Sequence, residues 1–177
     1  MPDETPMALI CDANVLIHYY LADKRILRIV VQCIGPVYVP RPILENEVDQ
    51  MGAEEAESLG LTVLEPEDAY IIQAGTQSGS LSLSRHDKLL LALAKDKGYV
   101  CWTSDSLLKR QCEELGIGTC WGLEMMLILC QRGHLSEKEA IRIARKLQQI
   151  DSRYITPKVV GEFERKLKEM RPSRPSA

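Results

Sequence analysis

Short apolar runs alternate with longer amphipathic stretches as far as Trp121. The run Ala8–Cys11 is wholly apolar, as expected of a strand covered on both faces, and Val37–Val39, Leu61–Leu64, Tyr99–Trp102 and Gly118–Trp121 repeat the pattern. The stretches between them predict helices. Val15, Leu16 and Ile17 open the first, and Ile26–Ile34 forms the second, stopped by Gly35-Pro36. Pro42 suits the first turn of the next, where its missing N–H costs nothing; Ile43, Leu44 and Val48 share one side, with Glu47 close to that face. Ala53–Leu59 ends at Gly60, Pro66–Gln77 follows the third strand, and Ser78–Ser84 reads as a loop. Ser84 then caps a helix through Lys97 that buries Leu90, Leu91, Leu93 and Ala94, and Leu107–Leu115 ends at Gly116. Strands alternating with helices of this length predict βαβ units: an α/β fold with a central parallel sheet of about five strands and right-handed crossovers.

Beyond Gly122 the pattern is helical only. Leu123–Gln131 forms one helix, a Ser136/Glu139 capping box opens another over Ser136–Ile150, and Thr156-Pro157 starts a last one ending near Met170. The expected organisation is an α/β domain over 7–135, a helical C-terminal extension over 136–170, and disordered tails at 1–6 and 171–177.

Composition narrows the classes. The chain has 177 residues, 45% of them hydrophobic, enough for a real core. Its six cysteines show no CxxC spacing and sit mostly inside apolar runs, so they read as buried thiols of a reducing cytoplasm, neither a disulfide framework nor a zinc site. The acidic start MPDETP does not read as a signal peptide, and no run approaches a membrane span. Net charge is −3 but uneven: residues 1–70 carry 13 acidic and 4 basic side chains, residues 71–177 carry 12 and 18. An acidic half joined to a basic one suits an enzyme that binds metal and tracks phosphates; solvated helix faces would look the same.

Four acids stand out against this frame. Asp12 ends the first strand, Glu47 lies in the helix after the second, Asp87 opens a helix, and Asp105 follows the fourth strand. Ligands of open α/β sheets bind outside the carboxyl ends of strands, where strand order reverses. Carboxylates gathered there form a ready site for divalent cations and hence for phosphoryl transfer. Each acid also has an ordinary structural role open to it. Asp12 and Asp105 can be N-caps, Asp87 can complete a capping box with Ser84, and Glu47 can be solvent-exposed like Glu45 and Asp49.

In their order these segments, CDANVLI, VPRPILENEV, RHDKLLLALAKDKG and WTSDSLLKRQCEELGI, resemble the PIN-domain nucleases over roughly residues 7–135. The resemblance implies a PIN-like three-layer α/β/α domain and a metal-dependent ribonuclease that hydrolyses RNA phosphodiester bonds. Asp12, Glu47, Asp87 and Asp105 would hold Mg²⁺ or Mn²⁺, supported by Asn14, Thr103 and Ser104. It also implies membership of the branch that supplies toxins of toxin–antitoxin pairs, with an antitoxin protein as partner. Two features stand apart from the pattern: Arg85 and His86 precede the third acid, where many relatives carry a small residue, and Glu45 or Asp49 can replace Glu47 by register.

Two other classes remain open. A haloacid-dehalogenase phosphatase also begins with an Asp after strand one, but wants a second Asp where Asn14 stands. A PIN-like scaffold that binds nucleic acid or protein without catalysis needs no metal, though 5% aromatic residues is sparse for a base-stacking platform. Nucleotide-binding glycine loops and the G-x-S-x-G elbow are absent from the sequence, and His18, His86 and His134 are scattered. The apolar run Leu123–Cys130 reads as core, with a homodimer contact as the other use for it.

Overall fold

The computed structural model describes residues 6–76 and 83–170. The expected tails apart from Pro6, the Gln77 end of the expected Pro66–Gln77 helix and most of the expected Ser78–Ser84 loop lie outside the described residues. Within them the chain builds β1 (Leu9–Cys11), α1 (Ala13–Asp23), α2 (Arg25–Cys33), β2 (Val37–Pro40), α3 (Arg41–Glu47), α4 (Ala53–Ser58) and β3 (Thr62–Leu64). There follow α5 (Asp68–Thr76), α6 (Arg85–Lys97), β4 (Val100–Thr103), α7 (Ser106–Glu114), β5 (Thr119–Trp121), α8 (Glu124–Gln131), α9 (Glu137–Ile150) and α10 (Pro157–Glu169).

The five strands form one all-parallel sheet in the order β3-β2-β1-β4-β5. The chain moves outward from β1 through β2 to β3, then crosses back to β4 beside β1, with Ile10 opposite Cys101 and Cys11 opposite Trp102. Right-handed crossovers therefore lay α1–α4 on one face of the sheet and α5–α7 on the other, giving three layers. The point of reversal lies between β1 and β4, the adjacency that the sequence left open. Helices α8, α9 and α10 join the α1 side, where α9 packs on α1 and α10 packs on α8 and α9.

The core is continuous from the sheet into these last helices. Leu9, Ile10 and Cys11 are fully buried, as expected of an inner parallel strand, and so are Val37, Val39, Cys101 and Trp102. Tyr19 of α1 tilts against Trp102 at 5.0 Å between ring centroids. Met125, Met126 and Leu129 are buried, so the apolar run of α8 serves the core, and Ala140, Ile143, Ala144, Leu147, Phe163 and Leu167 extend the same cluster into α9 and α10. The Ser84/Asp87 and Ser136/Glu139 capping boxes both form, and Gly98 ends α6 in the left-handed conformation at φ +70°.

Some bounds differ from the sequence pattern. Helix α3 stops at Glu47, and Val48, expected on its apolar side, lies beyond it in extended backbone while still buried. Leu61 is buried just ahead of β3 without belonging to it. Gly35 marks the closest backbone approach: at φ +153°, a Cβ there would sit 2.5 Å from the Met7 carbonyl oxygen. The Gly35→Ala protein is therefore expected to lose on the order of 2 kcal/mol or more, read as a lowered midpoint in urea unfolding. An unchanged midpoint would show that the segment ahead of β1 yields at no cost.

Candidate functional site at the strand-order reversal

Asp12 leaves β1 where the chain turns into α1, and its surroundings are those of an interior group. It is 5% exposed, and its backbone N–H reaches across to the Trp102 carbonyl of β4 at 3.3 Å. Its Oδ1 caps α1 by accepting the Val15 N–H at 2.7 Å. Its Oδ2 accepts from the Thr103 hydroxyl at the end of β4, and the Thr103 oxygen in turn accepts the Asp105 N–H at 3.0 Å. Thr103 thus couples the two carboxylate-bearing strand ends through one hydroxyl, with no exposure of its own.

Burial pushes the Asp12 carboxyl up to about 7; the bonds from Thr103 and Val15 oppose this, and the charges of Asp87 and Asp105 add to it. Asp12 therefore lies within the electrostatic reach of both other aspartates, so the reversal brings three of the four predicted acids into one neighbourhood.

The structural roles open to these residues are also filled. Asp105 caps α7, its Oδ1 accepting from Leu107 N at 2.8 Å and Leu108 N at 3.1 Å. Asp87 completes the capping box of α6, its Oδ2 accepting from Ser84 N at 2.9 Å. Among the described residues, no group of three or more His, Cys, Asp or Glu side chains is arranged to hold a metal ion. The donor chemistry nonetheless suits a hard cation. All the predicted donors are oxygens, and the most buried one, Asp12, has no cation bonded to it among the described residues.

Glu47 ends α3 and turns to α6, where its Oε1 lies 2.7 Å from His86 Nδ1, one residue before Asp87. Glu45 instead pairs with Arg41 at 3.3 Å on the outer side of α3. Ser104 is buried between the Thr103 and Asp105 positions, at 4% exposure.

Sequence reasoning missed one wall of this neighbourhood. The turn between α9 and α10 brings Tyr154 against the Asn14 side chain and into the field of Asp105, while burial pushes its phenol up. The turn is pinned from both sides: Asp151 accepts two side-chain bonds from Arg153 and lies 3.6 Å from His18 Nε2, and Ile155 is buried. The Arg153 guanidinium lies over the Tyr154 ring at 5.7 Å. Burial holds His18 below its ordinary value despite Asp151, and its Nδ1 is buried without a partner among the described residues. The signal that could have found this wall was weak: a Tyr beside an Arg in the connector DSRYITP.

Among the described residues, no helix is long and apolar enough to cross a membrane. No family model matches the chain, and comparison with curated proteins gives no significant match.

Proposed function

We propose that the chain is a metal-dependent ribonuclease whose centre is Asp12, with Asp105, Asp87 and Glu47 completing the acidic set. The observation that carries this reading is Asp12 itself. It is a carboxyl buried at the strand-order reversal, held near 7 by burial and by two neighbouring carboxylates, with no basic side chain bonded to it among the described residues. A side chain serving only as an N-cap has no need of such a position, because exposed caps do the same work. When bound, Mg²⁺ or Mn²⁺ held by these oxygens would acidify a water and stabilise negative charge on the phosphate.

The chain's own groups supply the remainder. Thr103 and the Val15 N–H fix the two oxygens of Asp12, so the carboxylate is oriented before any ligand arrives. His86 fixes Glu47 from α6. The amino end of α1, beginning at Ala13, offers its dipole to a phosphate. Drawing Asp87 and Asp105 onto a cation asks each to release part of its capping, a cost of about 1 kcal/mol per helix. The toxin role and an antitoxin partner follow from the family resemblance alone.

A second reading has its own observation. Asp87 and Asp105 are both engaged as caps, which is the arrangement a non-catalytic scaffold would keep. Cleavage of labelled single-stranded RNA in Mn²⁺, Mg²⁺ and EDTA, comparing the native chain with Asp12→Asn, separates the two. The ribonuclease reading expects cutting that needs metal and is lost in the variant. Absence of cutting together with absence of Mn²⁺ binding heat would leave the scaffold.

A further inference from the structure

Helix α9 runs antiparallel to α1. Its Arg142 reaches Asp23 at the far end of α1 at 3.2 Å, and the Asp151 that follows it meets His18 nearer the start. Its C-terminal end therefore arrives at the candidate site, and the next turn sets Tyr154, with Arg153 over its ring, against Asn14. The outward face of α9 carries a groove of about 510 Å³ lined by Lys138, Ile141, Arg142, Arg145, Lys146 and Gln149. At ~1.5 Å per residue these positions span about 17 Å of helix.

The charge of this groove is biased outward. Arg142 and Arg145 each hold an acid, but the acids are recessed: Asp23 is 11% exposed and Glu164 25%, against 53% and 64% for the two guanidiniums. Lys138 and Lys146 are exposed and make no ion pair among the described residues. A ligand approaching α9 thus meets four cations around the apolar side chain of Ile141, and Arg153, paired with Asp151, follows three residues beyond the end of the helix. All of these residues lie outside the 7–135 segment that carries the family resemblance.

The geometry points to the α9 groove as the track for the phosphate backbone of a single-stranded RNA whose continuation reaches Asp12. The assignment rests on the ribonuclease reading and deepens it. An extended polyanion is the occupant that matches a row of cations along one helix and a site at the end of that row. The acidic surface of residues 1–70 would repel the same strand, so the extension carries the binding while the α/β domain carries the carboxylates.

The test uses the full chain and the Lys138→Gln/Lys146→Gln double variant, both exposed changes that leave the core untouched. Binding of a fluorescein-labelled oligouridine about twelve nucleotides long is followed by anisotropy in EDTA over a KCl series, alongside cleavage in Mn²⁺. The expected result is a Kd raised roughly tenfold at low salt and a log Kd–log[KCl] slope reduced by about 1.4, at ~0.7 per lost phosphate contact. If the native chain binds and cuts RNA while the variant keeps its affinity and slope, the strand enters by another face: the track is overturned and the ribonuclease reading stands. If the native chain binds polyglutamate with a steep salt slope but not oligouridine, the groove serves an acidic protein segment and the track is likewise overturned. Loss of metal-dependent cutting in the native chain is the separate failure of the functional reading.

Discussion

Freed of divalent metal, the Asp12→Asn protein is expected to unfold at a higher temperature than the native chain near pH 8, and at about the same temperature near pH 4. The fold raises the Asp12 carboxyl from its ordinary 3.8 to about 7, so it favours the protonated form. Below about pH 4 the group is neutral in both the folded and the unfolded chain, and burial costs nothing extra. As pH rises towards 7 the unfolded chain ionises while the folded one resists, and the native state loses stability throughout that window. At about 1.4 kcal/mol per pKa unit, the full effect is on the order of 4 kcal/mol, reached above pH 7. An amide in place of the carboxylate keeps the Val15 cap and carries no charge, so the difference between the two proteins across this window isolates the Asp12 contribution from that of the other acids. Mn²⁺ should then narrow the gap between the two proteins. At a hundredfold excess over its Kd, a ligand of the native state adds about 2.7 kcal/mol, and the variant should gain little of it. On the proposed ribonuclease reading, the same substitution should lower RNA cleavage on the order of a thousandfold, since several kcal/mol of charge stabilisation would depend on the cation. Calorimetric scans at pH 4, 6 and 8, with EDTA and with Mn²⁺, read both halves. Identical midpoints for the two proteins at every pH would mean that Asp12 holds no uncompensated charge and is a cap and nothing more.

Much of the fold was legible because its signals are local. The apolar runs at Ala8–Cys11 and Tyr99–Trp102 needed only the rule that buried parallel strands are apolar on both faces, and β1 and β4 formed there. Ser84 with Asp87 and Ser136 with Glu139 announced their helices through capping chemistry that operates within four residues. Val48 shows where local reasoning stops: its apolar spacing placed it on α3, but its burial is reached from extended backbone after the helix has ended.

The candidate site was legible one residue at a time. Asp12, Asp87 and Asp105 each sit at a helix start that the sequence marks, and each proves to be the cap that this position allows. Their convergence depends on β1 lying beside β4, which is a property of strand order and has no local signature. The pairing of Glu47 with His86 spans 39 positions, and the approach of Tyr154 to Asn14 spans many more; both depend on how layers stack. The C-terminal helices read as an appended unit, yet their connector stands beside the candidate site, because α9 antiparallel to α1 must end at the same edge of the sheet where α1 begins.

Thr103 is the residue through which that convergence is held, and Thr103→Val is the second substitution expected to have a large effect. The hydroxyl donates to Asp12 Oδ2 and accepts from the Asp105 N–H, with no exposure to let water replace it. Valine matches its shape but leaves the Asp105 N–H without its acceptor and Asp12 without its strongest opposing bond. Each buried group left unsatisfied costs about 1–3 kcal/mol. The Asp12 carboxyl should rise further, because the bond that lowers it is gone while burial remains. The sign of the consequence for activity follows from that. A carboxyl that holds its proton to higher pH competes less well for a cation, so the Mn²⁺ needed for half-maximal cleavage should increase by about tenfold and its optimum should move to higher pH. Raising pH or Mn²⁺ should then recover part of the activity in Thr103→Val and none in Asp12→Asn. Recovery in neither would mean that Thr103 maintains only the strand ends; full activity in Thr103→Val without added metal would remove it from the site altogether.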